Sequence, residues 1–227
     1  MTCLRYLLLL VLMMAVVPVG NSQPKAEKKG FAPLLKHAEN LESAKGVPGL
    51  TDAQREKLSP VIEQLRKDLV ALSKIESDSS KIPPGYQKDL DLQVATLERA
   101  INAKADLKAE VRVKVITAVA ASLSTKRKFA AANPKEPFIE LDIKATTKNG
   151  VNEEVPGLKV NWLTESQYYL AMNTPGVPFP TNSSPARGKL PSGTYYLHAG
   201  KDPKTGPFGA WMFLDTDNGT DVDVPAP

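Results

Sequence analysis

Apolar residues recur every three or four positions after residue 50, which is the spacing of one buried stripe on an α-helix. Just before the stripe, Thr51 and Gln54 have the spacing of a capping box, in which each side chain binds the backbone N–H of the other residue. The pattern predicts a helix of about 25 residues that begins at this box. Its buried positions would be Leu58, Ile62, Leu65, Leu69 and Leu72.

The same spacing returns at Tyr86 and predicts a second helix of about 40 residues. The stripe changes phase once and resumes at Leu107. Two long helices with a short break between them favour an antiparallel helical hairpin over residues 31–130. Residues 31–41 are predicted to add a short third helix. The first part of the second stripe consists of Leu90, Val94, Leu97 and Ile101.

Beyond residue 137 the apolar residues alternate with polar ones, which is typical of half-buried β-strands. The first such strand would place Ile139, Leu141, Ile143 and Ala145 on one face. Many short strands separated by turns predict an antiparallel β-sandwich of immunoglobulin-like or transthyretin-like type over residues 138–227. Residues 131–137 would be a linker, so the predicted fold class is α+β with two segregated parts. The further predicted strands are 158–162, 167–172, 194–199, 210–215 and 220–224.

The amino-terminal residues have the order of an export signal. Arg5 precedes an apolar run from Leu7 to Val17, and small or polar residues follow as far as Ser22. The run is shorter than the roughly 20 apolar residues that a permanent membrane span needs. We therefore expect a signal peptide over 1–22, cleavage near Ser22, a flexible basic tail over 23–30, and a secreted or periplasmic protein without a permanent membrane span.

Composition narrows the possible chemistry. The chain has 227 residues, a formal net charge of +4 and one cysteine. Cys3 lies in the predicted signal peptide, so the mature protein would have no disulfide, reactive thiol or cysteine-ligated metal. An exported protein without cysteines is more typical of a bacterial cell envelope than of a disulfide-rich secreted domain. The positive charges are interspersed with acidic residues, which does not favour a nucleic-acid partner.

No spacing in the sequence matches a nucleophile elbow, a phosphate-binding loop or a zinc-protease helix. His37 and His198 fall in different predicted parts of the chain, and a lone histidine is most often a packing or hydrogen-bonding residue. We therefore expect no enzyme activity and no cofactor.

An acidic segment near residue 220 offers a weak calcium candidate. Its aspartates alternate with other residues, but Gly219 stands one position too early for an EF-hand loop. The alternative is a β-hairpin, because Asn218-Gly219 between two alternating runs is a strong hairpin signal. We favour the hairpin over the metal site. The candidate ligands would be Asp215, Asp217, Asp221 and Asp223.

The predicted hairpin also locates a possible binding surface. Counting outward from its turn pairs Phe213 with Val224, and we assign this face to the core. On the nearby strand, Tyr195 and Leu197 would point inward. The outward residues would form a mixed apolar patch, covered either by the protein's own helices or by a ligand or partner. The patch would consist of Tyr196, His198, Met212 and Leu214.

Two short segments resemble known families. Residues 184–199, with Pro191 and Gly193 in a turn before Tyr195, resemble carboxypeptidase-regulatory-like, transthyretin-like and PEGA-type β-domains. That resemblance implies a non-catalytic β-module. The segment that starts Leu50-Thr51 and includes Gln54 resembles the LTxxQ segment of Spy/CpxP-type periplasmic proteins. This second resemblance implies a long amphipathic helix in a chaperone or stress sensor.

These observations predict an exported, non-catalytic cell-envelope protein with a helical interaction arm and a β-sandwich binding or structural module. One alternative is a periplasmic chaperone or stress sensor of Spy/CpxP type. The other is a glycan-binding or hydrolytic accessory protein that uses the aromatic residues of the β-part. The expected partner is accordingly an envelope protein or a glycan, and the sequence does not distinguish the two.

Overall fold

The computed structural model describes residues 30–43, 47–79, 81–102, 107–174, 181–183, 186–191, 193–200, 212–215 and 221–226. The predicted signal peptide and all of the predicted tail except Gly30 lie outside these residues. Within them the protein is an α+β structure, as the sequence predicts. Its helices are α1 (Ala32–Ser43), α2 (Asp52–Ser79), α3 (Pro84–Asn102), α4 (Ala109–Ala132) and α5 (Glu165–Asn173).

Helix α2 begins at the predicted capping box. The backbone N–H of Thr51 donates to the Gln54 side chain over 3.0 Å, and the N–H of Gln54 donates to the Thr51 hydroxyl over 3.3 Å. The predicted stripe is buried in the helical core together with residues of α1, α3 and α4. Hydrophobic periodicity and capping were therefore sufficient to predict this helix.

The predicted second helix of about 40 residues is wrong. The structure has two helices in its place, α3 and α4, and the phase change at Leu107 marks the boundary between them. Leu107 is buried in the same core as Leu97 and Val111, on either side of the break. The two predicted long helices are therefore three helices, and they share one core with α1, the short helix that the sequence predicts over residues 31–41.

Seven strands form two sheets among the described residues. One sheet has the order β4-β1-β7 and the other has the order β3-β2-β5-β6. Apolar residues of both sheets, such as Ile143 of β1 and Leu197 of β5, belong to one buried cluster. The strands are β1 (Glu140–Lys148), β2 (Lys159–Thr164), β3 (Thr181–Ser183), β4 (Ala186–Pro191), β5 (Thr194–Ala199), β6 (Met212–Asp215) and β7 (Asp221–Pro225).

The expectation of wholly antiparallel pairing is wrong. Strand β7 pairs with β1 in parallel, with Ala145 opposite Val222 and Thr147 opposite Val224. The predicted hairpin of β6 with β7 is wrong for the same reason, because β6 pairs with β5 in the other sheet. The Asn218-Gly219 turn itself lies outside the described residues. Burial of Val222 and Val224 among the residues of the β-core accounts for the pairing that a local turn signal did not predict.

The predicted strand 167–172 is also wrong, because this segment lies in α5. Its first turn is fixed by a second capping box. The N–H of Thr164 donates to the Gln167 side chain over 3.0 Å, and the N–H of Gln167 donates to the Thr164 hydroxyl over 3.4 Å. A helix therefore lies between β2 and β3 where the sequence suggested a continuous series of strands.

The helical and strand parts share packing. Phe138, just before β1, lies in the helical core, where its ring contacts those of Phe31 and Tyr86. Glu140 on β1 accepts a 2.7 Å hydrogen bond from the backbone N–H of Tyr86 in the first turn of α3. Leu170 of α5 is buried in the same core. Contacts therefore extend across the predicted linker, while the boundaries 31–130 and 138–227 stay predictions.

None of the helices in the described part of the chain is both long enough and apolar enough to cross a membrane.

Candidate functional site

The predicted surface patch is not formed as expected. His198 is buried, with 1% of its surface exposed, although the pattern placed it outside. Tyr196 is half-buried and lies opposite Phe213, whereas Met212 lies opposite Leu197 and Leu214 opposite Tyr195. The two strands adjoin as the prediction required, but their register places Met212 and Leu214 on the face of Leu197 and Tyr195 and not on that of Tyr196.

The calcium candidates are divided between the sheets. Asp215 is in β6, whereas Asp221 and Asp223 are in β7, and Asp217 lies outside the described residues. The carboxylate of Asp223 binds the ammonium of Lys148 at 2.8 Å. In the part of the chain that the structure describes, no three acidic, histidine or cysteine residues are close enough to hold a metal ion.

Three tyrosines form a surface between α5 and β5, which we call the tyrosine surface. It consists of Tyr168, Tyr169 and Tyr196, each half-buried. The rings of Tyr168 and Tyr196 stack with centroids 4.5 Å apart and planes 3° apart. The hydroxyl of Tyr169 donates a 3.0 Å hydrogen bond to Glu165, and the ammonium of Lys114 lies 5.7 Å from the Tyr169 ring. The surface thus combines aromatic faces with charges of both signs.

The surroundings of Tyr169 and Tyr196 favour the protonated form of their hydroxyl groups. Burial, followed by the hydrogen bond to Glu165, raises the pKa of Tyr169 to about 12. Burial also raises the pKa of Tyr196, and the charge of Glu165 adds to the rise. The two hydroxyls are therefore neutral at physiological pH, and that of Tyr169 is bonded to Glu165.

A buried polar cluster lies between α3 and α4. The ammonium of Lys126 is 3.2 Å from the carboxylate of Asp89 and 3.4 Å from the hydroxyl of Ser122. The side-chain amide of Gln93 donates to Asp89 over 2.6 Å, and the ring of Tyr86 lies 5.7 Å from the ammonium. A serine and a lysine this close could suggest nucleophilic catalysis. Lys126 is only 1% exposed, however, and is paired with a carboxylate, so we assign the cluster to holding the two helices together.

An apolar pocket opens between α1, the turn at 47–50 and the start of α2. Its volume is about 280 Å³. Five of its lining side chains are apolar and almost fully buried by the surrounding protein. We call it the α1–α2 pocket. The apolar residues are Leu41, Val47, Leu50, Leu58 and Ile62, and the others are Glu42, Arg55, Ser59 and Glu63.

The charged residues of the pocket belong to three ion pairs. Glu42 binds Arg66 at 2.7 Å, and Glu63 binds Lys67 at 2.6 Å. The hydrogen bond from Lys67, followed by its positive charge, lowers the pKa of Glu63, so this carboxylate stays ionised. Arg55 contacts the carboxylate of Asp52 at 3.2 Å.

Arg112 fixes the turn that forms one wall of the pocket. Its guanidinium donates to the carbonyl of Pro48 over 2.5 Å, between the pocket residues Val47 and Leu50. It also donates to the carbonyls of Ala100 and Ile101 over 2.6 and 2.7 Å. Burial lowers the pKa of this guanidinium. The turn that forms this wall of the pocket is therefore fixed by a side chain of α4, which is distant from it in the sequence.

Sequence reasoning found Tyr196 but missed the rest of the tyrosine surface and the α1–α2 pocket. Tyr168 and Tyr169 were placed on a strand, which would have put them on opposite faces of a sheet. The missed signal was the segment Leu163–Gln167, which repeats the Leu-Thr-x-x-Gln pattern of Leu50–Gln54. The pocket has no local signal, because its walls come from separate segments.

No protein-family model matches the chain, and no curated protein is significantly similar to it.

Proposed function

We propose that the protein is an exported, non-catalytic cell-envelope binding protein that holds an apolar group of its partner in the α1–α2 pocket. The observation that carries this proposal is the pocket itself, with five apolar side chains around an open space of about 280 Å³. Apolar pockets with a few polar groups at the mouth are the usual form of a ligand site.

The size of the pocket limits what it can hold. An engineered apolar cavity of about 150 Å³ binds benzene, and sites for drug-sized ligands begin at about 300 Å³. A pocket of about 280 Å³ therefore fits one ring, one short chain or one large side chain of a partner. This fits the predicted role of the helices as the interaction arm, since α1 and α2 form most of the pocket.

In this proposal the two β-sheets have a structural role and stabilise the helical part. We take its two sheets as a sandwich-like module of the type suggested by residues 184–199. Its contribution is to hold α5 and Phe138 against the helical core. Export rests on the amino-terminal pattern of Arg5 and the following apolar run.

Filling the pocket from its rim tests the proposal. Ser59 lines the pocket and is exposed, so Ser59→Trp places a large ring at the mouth without removing a core side chain. With toluene as an uncharged one-ring probe, we expect at least a tenfold loss of affinity, because the introduced ring and the probe compete for one space. The measurement is a calorimetric titration of the mature protein.

Ser77→Trp is the matched control, because Ser77 is exposed on the same helix and does not line the pocket. It should bind the probe as the natural protein does. Equal titration curves for both tryptophan variants would contradict the proposal.

Glycan binding at the tyrosine surface is a second candidate, favoured by the stacked rings of Tyr168 and Tyr196 beside Glu165. Aromatic rings offer an apolar face to a sugar ring, and their hydroxyl groups and the carboxylate can bind its hydroxyls. Retention on insoluble polysaccharide should be lost in Tyr168→Ala and kept in Tyr168→Phe, which preserves the ring. Equal retention of both variants and the natural protein would exclude this surface.

A further inference from the structure

The three ion pairs around the α1–α2 pocket differ in length and in the exposure of their partners. The two carboxylates are each bound by a neighbouring cation, Glu42 by Arg66 and Glu63 by Lys67. The guanidinium of Arg55 contacts only one acidic group among the described residues, and that group, the Asp52 side chain, is fully exposed. The Arg55–Asp52 pair is also the longest of the three, at 3.2 Å against 2.7 Å for Glu42–Arg66 and 2.6 Å for Glu63–Lys67. Because exposed ion pairs contribute little free energy, Arg55 can change partner at small cost.

From this difference we infer that the pocket takes a small ligand with an apolar body and one carboxylate, and that Arg55 binds the carboxylate. This inference rests on the proposed function, since it names the ligand class of the same pocket. The apolar body would contact the side chains that line the pocket, such as Leu50 and Ile62. A cationic ligand is disfavoured, because Glu42 and Glu63 each form a shorter ion pair than Arg55 does.

The geometry of arginine suits this role. A guanidinium can donate two parallel hydrogen bonds to one carboxylate, and such charge-assisted bonds are stronger than neutral ones. Arg55 lines the pocket, and nearly half of its side chain is exposed, so its donors can be reached from solvent. The ligand would enter with its apolar end first and its charge at the rim.

Calorimetric titration of the mature protein with octanoate and with 1-octanol separates the two parts of the ligand. We expect octanoate to bind about fivefold more tightly than 1-octanol, as a partly exposed charge-assisted contact allows. Arg55→Gln should remove this difference and leave the affinity for 1-octanol within about twofold.

Two further variants control for charge. Lys57→Gln removes an exposed positive charge that does not line the pocket, and it should leave octanoate binding unchanged. Asp52→Asn removes the competing partner of Arg55, and it should strengthen octanoate binding by about twofold. Added salt should weaken the binding of octanoate and not that of 1-octanol.

The outcomes distinguish this inference from the proposed function. If octanoate and 1-octanol bind equally and Arg55→Gln changes neither, a fatty acid is excluded as the ligand, while the apolar pocket of the proposed function is retained. If neither compound binds, or if Ser59→Trp does not weaken them, the proposed function fails as well.

The same chemistry occurs in a free fatty acid and in the last residue of a peptide that ends in an apolar side chain. N-acetyl-leucyl-leucine and its carboxyl-terminal amide serve as the second pair of probes. Tighter binding of the acid than of the amide, removed by Arg55→Gln, supports a peptide carboxyl terminus. Arg55-dependent binding of octanoate alone supports a fatty acid, and an absence of Arg55 dependence in both pairs overturns the inference.

Discussion

One side chain, Arg112 of α4, links parts of the helical region that are far apart in the sequence. It donates to the carbonyls of Ala100 and Ile101 at the end of α3 and to that of Pro48 in the turn before α2. Carbonyls in the last turn of a helix have no partner within the helix. A buried guanidinium that satisfies two of them and also fixes the turn explains why an arginine occupies this buried position.

Replacing Arg112 should therefore destabilise the protein strongly. Arg112→Met keeps most of the volume but leaves three carbonyls without their donor, and we expect a loss of about 3 kcal/mol in the free energy of unfolding. Urea denaturation would measure it.

Arg99→Met is the control, because Arg99 is exposed on α3. It should change the free energy of unfolding by no more than about 0.5 kcal/mol. An Arg112→Met variant with the urea midpoint of the natural protein would show that the three hydrogen bonds do not contribute to stability.

At the scale of elements, the sequence predicts those helices and strands that are stabilised by contacts between residues close together in the chain. Helix α2 could be predicted because its capping box and its stripe of leucines agree. Strands β1 and β5 could be predicted because each has an alternating run in its first part, although the alternation of burial is lost towards their ends, at His198 for example. Helix α5 was missed because Tyr168-Tyr169-Leu170 also has the composition of a strand, although Thr164 and Gln167 have the spacing of a helix start.

Strand partners could not be predicted in the same way. Asn218-Gly219 favours a hairpin, yet Phe213 lies opposite Tyr196 on β5, while Val222 lies opposite Ala145 on β1. The strand pairing that forms depends on how well the apolar residues are buried against residues that are distant in the sequence. The α1–α2 pocket and the tyrosine surface could not be predicted from local patterns either, because each joins side chains from two or more elements.

At the scale of the whole molecule, the predicted linker is crossed by buried contacts. Phe138 and Leu170 belong to the helical core, and the aromatic rings of Phe31 and Tyr86 contact Phe138. Leaving two such side chains exposed costs about 3 to 6 kcal/mol, which is comparable with the stability of a small domain. The two parts are therefore expected to stabilise each other.

Separate production of residues 23–137 and 138–227 tests this expectation. The strand fragment alone should melt at a lower temperature than the full chain and with less cooperativity, because Phe138 and Leu170 become exposed to solvent without the helices. Mixing the two fragments should restore part of the lost stability. Circular dichroism melting would measure both effects, and a strand fragment as stable as the full chain would instead support independent domains.

The parallel pairing of β1 with β7 also constrains the order of folding. The long segment between β1 and β7 must close into a loop, at a cost in chain entropy, before the two strands gain any contacts. We therefore expect this pairing to form late and slowly during folding. Until residues 221–225 arrive, β1 has an unpaired edge, the kind of surface on which chains associate with one another. The charged residues Lys144 and Lys148 lie at the two ends of the segment that pairs with β7, and they oppose such association while this edge is open.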